Sequence, residues 1–434
     1  MKSLESTTAN GQSDDLGTNV WTREPRRGRW VIAIGLLLAA AALAPEAARA
    51  GGIYAGEFAT PSMGTAGAGS TAIASGAATA IHNPAGMTRL DEHQLHVGLA
   101  PGISVISFDP DSGTTISGSD GGQQGGFIPL LSGGYVHELA ERWRLGAALF
   151  SVSGAGLEPR DNWVGRNQLT KVKLFTLQFA PTVAYRVTDW LSVGAGPVIT
   201  YGRLDQNLIA PGPLGSEIKI DDADDFGYSA VVSGLIELTP ELRVGVVYMS
   251  EIALHLDGDL TVRNLAPSID LDMTLPQSIN WDVFWQATDE IGLMVGGNWE
   301  DWSRFSRLPL SLGPFDPTAD LHFQDTFKAK AGIHYRLDED WLLQAGFAYD
   351  TSAIKHARHR TAVLPVDQQF RYTLGTLYDY SKDTTLGFGV EFADLGKSRI
   401  RNDNFQGDYD RNFILFLNFT ANWKGLPWKN RGTF

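Results

Sequence analysis

The chain has 434 residues, of which 43% are hydrophobic and 19% charged, where a soluble domain carries about 25% charged residues. A formal charge of −14 without a long Lys/Arg block argues against a nucleic-acid partner, since such binding depends on phosphate neutralisation. With no cysteine there is no disulfide framework or thiolate chemistry, and a mean hydropathy of −0.11 excludes a polytopic helical membrane protein, which needs several apolar runs of about 20 residues.

Residues 1–50 read as a secretory signal. Arg23, Arg26, Arg27 and Arg29 precede an apolar run from Trp30 to Leu43, and Ala48-Arg49-Ala50 offers a small-x-small cleavage site. The run is short for a membrane anchor, so a mature start at Gly51 is expected. Cleavage removes six basic and five acidic side chains and leaves the mature chain at −15.

Residues 51–90 are too rich in Gly, Ala, Ser and Thr to build a hydrophobic core of their own. Such a stretch is either a linker or a compact filler in which backbone approaches backbone. Near its end, Asn83 can cap a short helix and Pro84 suits the first helical position, giving a rigid turn at Asn83-Pro84-Ala85.

From residue 91 to 424 alternation with period two dominates. Phe413, Leu415, Leu417, Phe419, Ala421 and Trp423 share one face, as do Trp341, Leu343, Ala345, Phe347 and Tyr349, and again Leu386, Phe388, Val390 and Phe392. Sandwich strands usually run about 5 to 6 residues, whereas these reach the roughly 9 to 11 of a tilted membrane strand. Short acidic turns at 139–142, 188–189, 239–241, 288–290, 338–340 and 381–383 alternate with long loops at 107–127, 154–167, 204–225, 251–272, 306–324, 351–370 and 396–411. The pattern predicts an all-β transmembrane antiparallel barrel of about 14 strands, with short periplasmic turns and long external loops. Trp143, Trp190 and Trp341 sit beside short turns, where an aromatic girdle anchors a barrel wall. Residues 425–434 form a C-terminal extension beyond the last strand.

Three ordered blocks carry a resemblance. Gly52-Ile53-Tyr54-Ala55-Gly56-Glu57-Phe58, Met63-Gly64-Thr65-Ala66 and Asn83-Pro84-Ala85 resemble the mature start of FadL-type outer-membrane transporters, and Asn298 to Phe305, Gly332 to Trp341 and Gly346 to Asp350 resemble their carboxy-terminal strands. The resemblance implies that residues 51–90 are a hatch inside the barrel lumen. It implies outer-membrane diffusion of long-chain fatty acids or hydrocarbons, with a pocket touching the mature amino terminus and lateral release at a kink in the third strand. Gly52, Ile53, Phe58, Asn83, Pro84 and Ala85 are then the hatch and pocket positions, although Ile53 replaces what is often an aromatic side chain. The matching third strand, Trp143 to Val152, runs into Gly154-Ala155-Gly156, and Gly154 and Gly156 are the lateral-opening candidates because glycine interrupts strand pairing.

No catalytic constellation stands out. Gly64 to Gly69 superficially resembles a phosphate loop but lacks the Walker lysine, and His93/His96 and His356/His359 lack a neighbouring carboxylate set for a metal. Neither a cofactor, a metal nor enzymatic turnover is expected. If Phe327, Ala329, Ala331 and Ile333 face lipid, then Lys328, Lys330 and His334 face the lumen and are candidates for a cargo carboxylate, or for ion pairs with lumen carboxylates, Asp325 or Glu300. The expected partners are a hydrophobic small molecule, outer-membrane lipid and the barrel assembly machinery, for a monomeric barrel in the bacterial outer membrane. The competing reading is a barrel-anchored binding protein or adhesin that acts through its long external loops.

Overall fold

The computed structural model describes residues 57–210, 215–262, 268–311, 318–320 and 322–425, and fourteen of the described strands close into one antiparallel barrel. They are β1 (Gln94–Pro110), β2 (Phe127–Ala140), β3 (Trp143–Leu157), β4 (Lys171–Arg186), β5 (Leu191–Ile209), β6 (Glu217–Thr239), β7 (Leu242–Met249), β8 (Ser278–Gln286), β9 (Ile291–Glu300), β10 (Thr326–Arg336), β11 (Trp341–Asp350), β12 (Gln369–Ser381), β13 (Thr384–Asp394) and β14 (Gln406–Lys424). Each pairs with its neighbour in this order, and β14 returns to β1 from Gln94 opposite Lys424 to Pro110 opposite Gly407. The expected signal segment at 1–50, Gly52 and Ile53, and the extension beyond residue 425 lie outside the described residues.

Strand alternation sorts the side chains in the sense opposite to a soluble protein. On β14, Leu415, Leu417 and Phe419 are exposed on the outer surface while Asn412, Asn418 and Thr420 are buried in the lumen. An apolar outer face suits hydrocarbon, and the polar inner face is satisfied by whatever fills the barrel. Trp143, Trp190 and Trp341 are exposed at the ends with short turns, and Trp143 and Trp341 each pack on a neighbouring tyrosine with ring centroids 4.5 Å apart.

Several stretches expected as loops hold strand, the longest in the expected loop 251–272. Ile252–Val262 and Ser268–Leu275 pair with each other, and the first also pairs with an extended β6. Their alternation explains it: Ile252, Leu254, Leu256, Leu271 and Met273 turn into a buried cluster with Phe108, Trp163 and Tyr409. Asp257, Asp259 and Asp272 fall between these apolar positions, and this acidic composition disguised the period. The cluster packs the external end of the barrel.

Inside the wall, residues 57–92 form a hatch of two 3-10 turns, Pro61–Thr65 and Pro84–Arg89, with a short helix, Thr79–His82, between them. Its alanines are almost wholly buried. The wall is moulded to it by glycine: a Cβ at Gly134 would lie 2.5 Å from the Ala77 carbonyl oxygen, and Cβ atoms at Gly98, Gly245 and Gly346 would collide with the backbone of Ala59, Thr71 and Thr65. Backbone therefore meets backbone across the lumen, and the Gly/Ala composition of the hatch is a packing requirement.

Candidate functional site

One side of the hatch is docked by charge. Asp282 of β8, fully buried, accepts from the Thr71 N–H at 3.0 Å and the Thr71 hydroxyl at 2.9 Å, and its other oxygen lies 3.0 Å from Lys330 Nζ. Lys330 also donates to Asn280 Oδ1 at 2.9 Å and to the Gly67 carbonyl at 3.2 Å. In a second group, Arg371 of β12 contacts Glu57 at 3.1 Å, Asp350 at 3.1 Å and Glu391 at 3.2 Å, while Lys328 lies 3.5 Å from Glu57 and 3.6 Å from Asp350. Burial alone would raise the Glu57 carboxyl, but Lys328 and Arg371 hold it well below the usual carboxylate range, at about 2. Phe58 lies against Phe416 with ring centroids 4.1 Å apart and beneath the Arg371 guanidinium.

The other side is held by small apolar side chains and by bonds to hatch backbone, among them Arg144 to the Leu90 carbonyl at 2.8 Å and Arg186 to the Thr88 carbonyl, with an Arg89–Glu237 ion pair. Asn83 Oδ1 accepts from the Ala85 N–H at 3.0 Å, capping the turn that starts at Pro84, and Asn83 Nδ2 donates to the carbonyls of Thr71 at 2.6 Å and Gly234 at 3.1 Å. Ala77, Ala80, Met87 and Leu90 then pack on Val136, Ala148, Phe150, Ala180 and Val198. His82 shares Nε2 with Thr60 and Ser62 hydroxyls at 2.9 and 3.0 Å, and burial with the neighbouring His96 lowers it to about 3.

Between hatch and wall is a partly open cavity. It is two-faced. Phe150, Ala180, Val198, Val231, Val247 and Met249, from β3 to β7, make one apolar wall, and Asn280, Asn298, Glu300, Lys328 and Lys330, from β8 to β10, make the polar wall opposite. A second, larger space opens at the short-turn end, bordered by Arg243, Phe284, His334 and Gln344.

At Phe150 the wall itself is interrupted. The β2–β3 ladder stops at Ser132 opposite Phe150, although β2 continues to Phe127 on its β1 side and β3 continues to Leu157 on its β4 side. On that β4 side Ser151 and Ser153 oppose the adjacent residues Leu177 and Thr176, which leaves Val152 as a one-residue bulge. A bulge bends its strand and raises the local twist, which pulls the β3 edge away from β2.

The sequence-derived candidates distribute as follows. Lys328 and Lys330 meet in the cavity, both bound to lumen carboxylates, while Asp325 instead accepts from the Trp299 and Ser303 N–H groups. His334 belongs to the other space and lies 3.0 Å from the Gln344 amide. Pro84 lines the cavity, whereas Asn83, Ala85 and Phe58 are buried in the packing behind it. Gly154 and Gly156 lie two and four residues past the bulge, paired with Phe175 and Lys173 of β4. Sequence reasoning missed Asp282, Arg371 and Asp350; a lone charge at an inward position of an apolar strand is the signal that would have found them.

A family model described as outer membrane protein transport protein (OMPP1/FadL/TodX) matches residues 41–423. The chain is 25% identical over 443 residues to outer membrane protein P1 of Haemophilus influenzae, covering 89% of this chain and 95% of that protein, and 25% identical over 429 residues to the long-chain fatty acid transport protein of Salmonella typhi, covering 88% and 96%. Among solved structures it superposes on a Pseudomonas aeruginosa FadL homologue with a TM-score of 0.78 at 19% identity, covering 86% of this chain and all of that one, and on the Pseudomonas putida toluene transporter TodX with a TM-score of 0.67 at 18% identity, covering 87% and 99%. With a match running from before the hatch to the last barrel strand, the chain belongs to the FadL/TodX family of outer membrane transport proteins.

Proposed function

We propose that the protein carries hydrophobic molecules, long-chain fatty acids or hydrocarbons, across the outer membrane by diffusion through the plugged barrel, and that cargo leaves sideways through the wall. The observation that carries this is the apolar-walled cavity beside the hatch, which reaches Phe150 at the point where the β2–β3 ladder ends. Burial of an acyl chain or ring gains about 0.8 kcal/mol per methylene, so capture needs no chemistry. Release into periplasmic water would forfeit that gain, while release into lipid keeps it. The hatch fills the space an open porin leaves for water, which opposes bulk flow. The relatives are named as fatty acid transport proteins and toluene transporters, and a non-enzymatic role accords with both. On this reading the barrel works as a monomer in outer-membrane lipid.

The test is uptake of a radiolabelled long-chain fatty acid and a long-chain hydrocarbon by cells lacking their own transporter, with heat-modifiable mobility on gels reporting a folded barrel. Uptake of at least one above the empty-vector level supports the reading. A folded barrel with neither transported overturns it and returns the external loops, and so a binding or adhesive role, to first place.

A further inference from the structure

The polar wall of the cavity bears on the cargo's headgroup, an inference that rests on the transport reading above. Its two cations, Lys328 and Lys330, and the Arg371 that shares Glu57 with Lys328 are already engaged. Lys330 has three donors and three oxygens around it, from Asp282, Asn280 and Gly67, at 2.9 to 3.2 Å. Arg371 is bound to Glu57, Asp350 and Glu391, and Lys328 lies between Glu57 and Asp350. Among the described residues of this cluster, Lys328, Lys330 and Arg371 face five buried carboxylates, Glu57, Asp282, Glu300, Asp350 and Glu391. An anionic cargo would lose its hydration without meeting an uncompensated positive charge.

A second observation points the same way. Asn298 lines the cavity, and its Nδ2 donates to Glu300 Oε1 at 2.8 Å, which fixes the amide orientation. Among the described residues, the Asn298 Oδ1 is buried without a partner. It calls for a donor, which a hydroxyl supplies and a carboxylate, an acceptor only, does not.

We propose that the cavity selects uncharged apolar cargo, hydrocarbons and long-chain alcohols, over carboxylates, and that Glu57 of the hatch is the residue that sets this preference by occupying Lys328 and Arg371 with a carboxylate of the protein's own. An incoming carboxylate must compete with Glu57 and is repelled by Glu300, whose oxygens are held by the neutral donors Asn298 and Trp302.

Calorimetric titration of the purified full-length protein in detergent at pH 8 with hexadecan-1-ol and with hexadecanoate tests this. The alcohol is expected to bind at least about tenfold more tightly. Glu57→Gln and, separately, Glu300→Gln are each expected to move the alcohol-to-carboxylate ratio by about tenfold toward the carboxylate, because each removes one negative charge from the wall. Glu300→Gln keeps an acceptor for the Trp302 indole and serves if Glu57→Gln loosens the hatch. Equal or tighter binding of hexadecanoate by the unmodified protein, or a ratio that neither variant moves, overturns the proposal and leaves transport standing. Binding of neither compound overturns the transport reading and this proposal together.

Discussion

On one side the hatch meets β7 to β14 through buried charges, Thr71 on Asp282 and Glu57 on Lys328 and Arg371, whereas on the other it meets β2 to β6 through alanines and methionine against small wall residues, through bonds such as Arg144 to the Leu90 carbonyl and Ser192 to Thr88, and through the part-exposed Arg89–Glu237 pair. The charged side buries paired ions, while the packed side combines small apolar groups with bonds made largely to hatch backbone and leaves the apolar wall of the cavity beside it. Loss of one charged partner should therefore cost far more than loss of one contact on the packed side. A buried ion without its partner is strongly destabilising, whereas packed alanines carry little side chain to lose.

The largest effect is expected from Asp282→Ala, which strands Lys330 and removes both Thr71 bonds, for a loss of roughly 3–5 kcal/mol in hatch docking. Because the chain has no cysteine, Ala85→Cys, at a buried hatch position, gives a unique reporter for a water-soluble maleimide. Labelling should be slow in the parent and fast with Asp282→Ala; equal rates would show that charge does not dock the hatch. On the packed side, Gly134→Val drives a side chain into the Ala77 backbone and should cost roughly 1–3 kcal/mol, seen as intermediate labelling and raised planar-bilayer conductance. Asn83→Ala removes a cap worth about 1 kcal/mol, together with its two carbonyl bonds, and should raise conductance less than the valine does.

Acid should loosen the hatch gradually. His82 is held neutral, lowered from 6.5 to about 3, and Glu57 is held ionised, lowered from 4.5 to about 2. Both folded values lie below the unfolded ones, so the undocked state binds more protons as pH falls. Docking should weaken from about pH 6.5 downward through His82 and again below about pH 4.5 through Glu57. Maleimide labelling of the Ala85→Cys protein at pH 7 and pH 4 measures it, and slower labelling at the lower pH after correction for thiolate chemistry would contradict the sign.

Alternation made the wall legible in the sequence, because in β10, and in β14 from Asn412 onward, each side chain's face follows from its parity. The turn at Asn83-Pro84 was legible for the same reason: cap and helix start are local. Arg371 and Glu57 are 314 positions apart and meet only when the barrel closes, so no window of sequence contains their pairing. The pairing break was half legible. Glycines drew attention to residues 154 and 156, but the extra residue is Val152, and a bulge is a property of register with β4 that composition does not encode.

The central claim is that cargo leaves through the wall at this break. Deleting Val152 tests it most directly, since Ser151 and Ser153 would then oppose Leu177 and Thr176 in step and every other pair along β3 and β4 is retained. The straightened strand can extend its ladder onto β2. In cells holding equal amounts of heat-modifiable barrel, uptake of the transported tracer should fall to the empty-vector level in the deletion while hatch labelling stays slow. Uptake at the unmodified rate would contradict lateral release at β3.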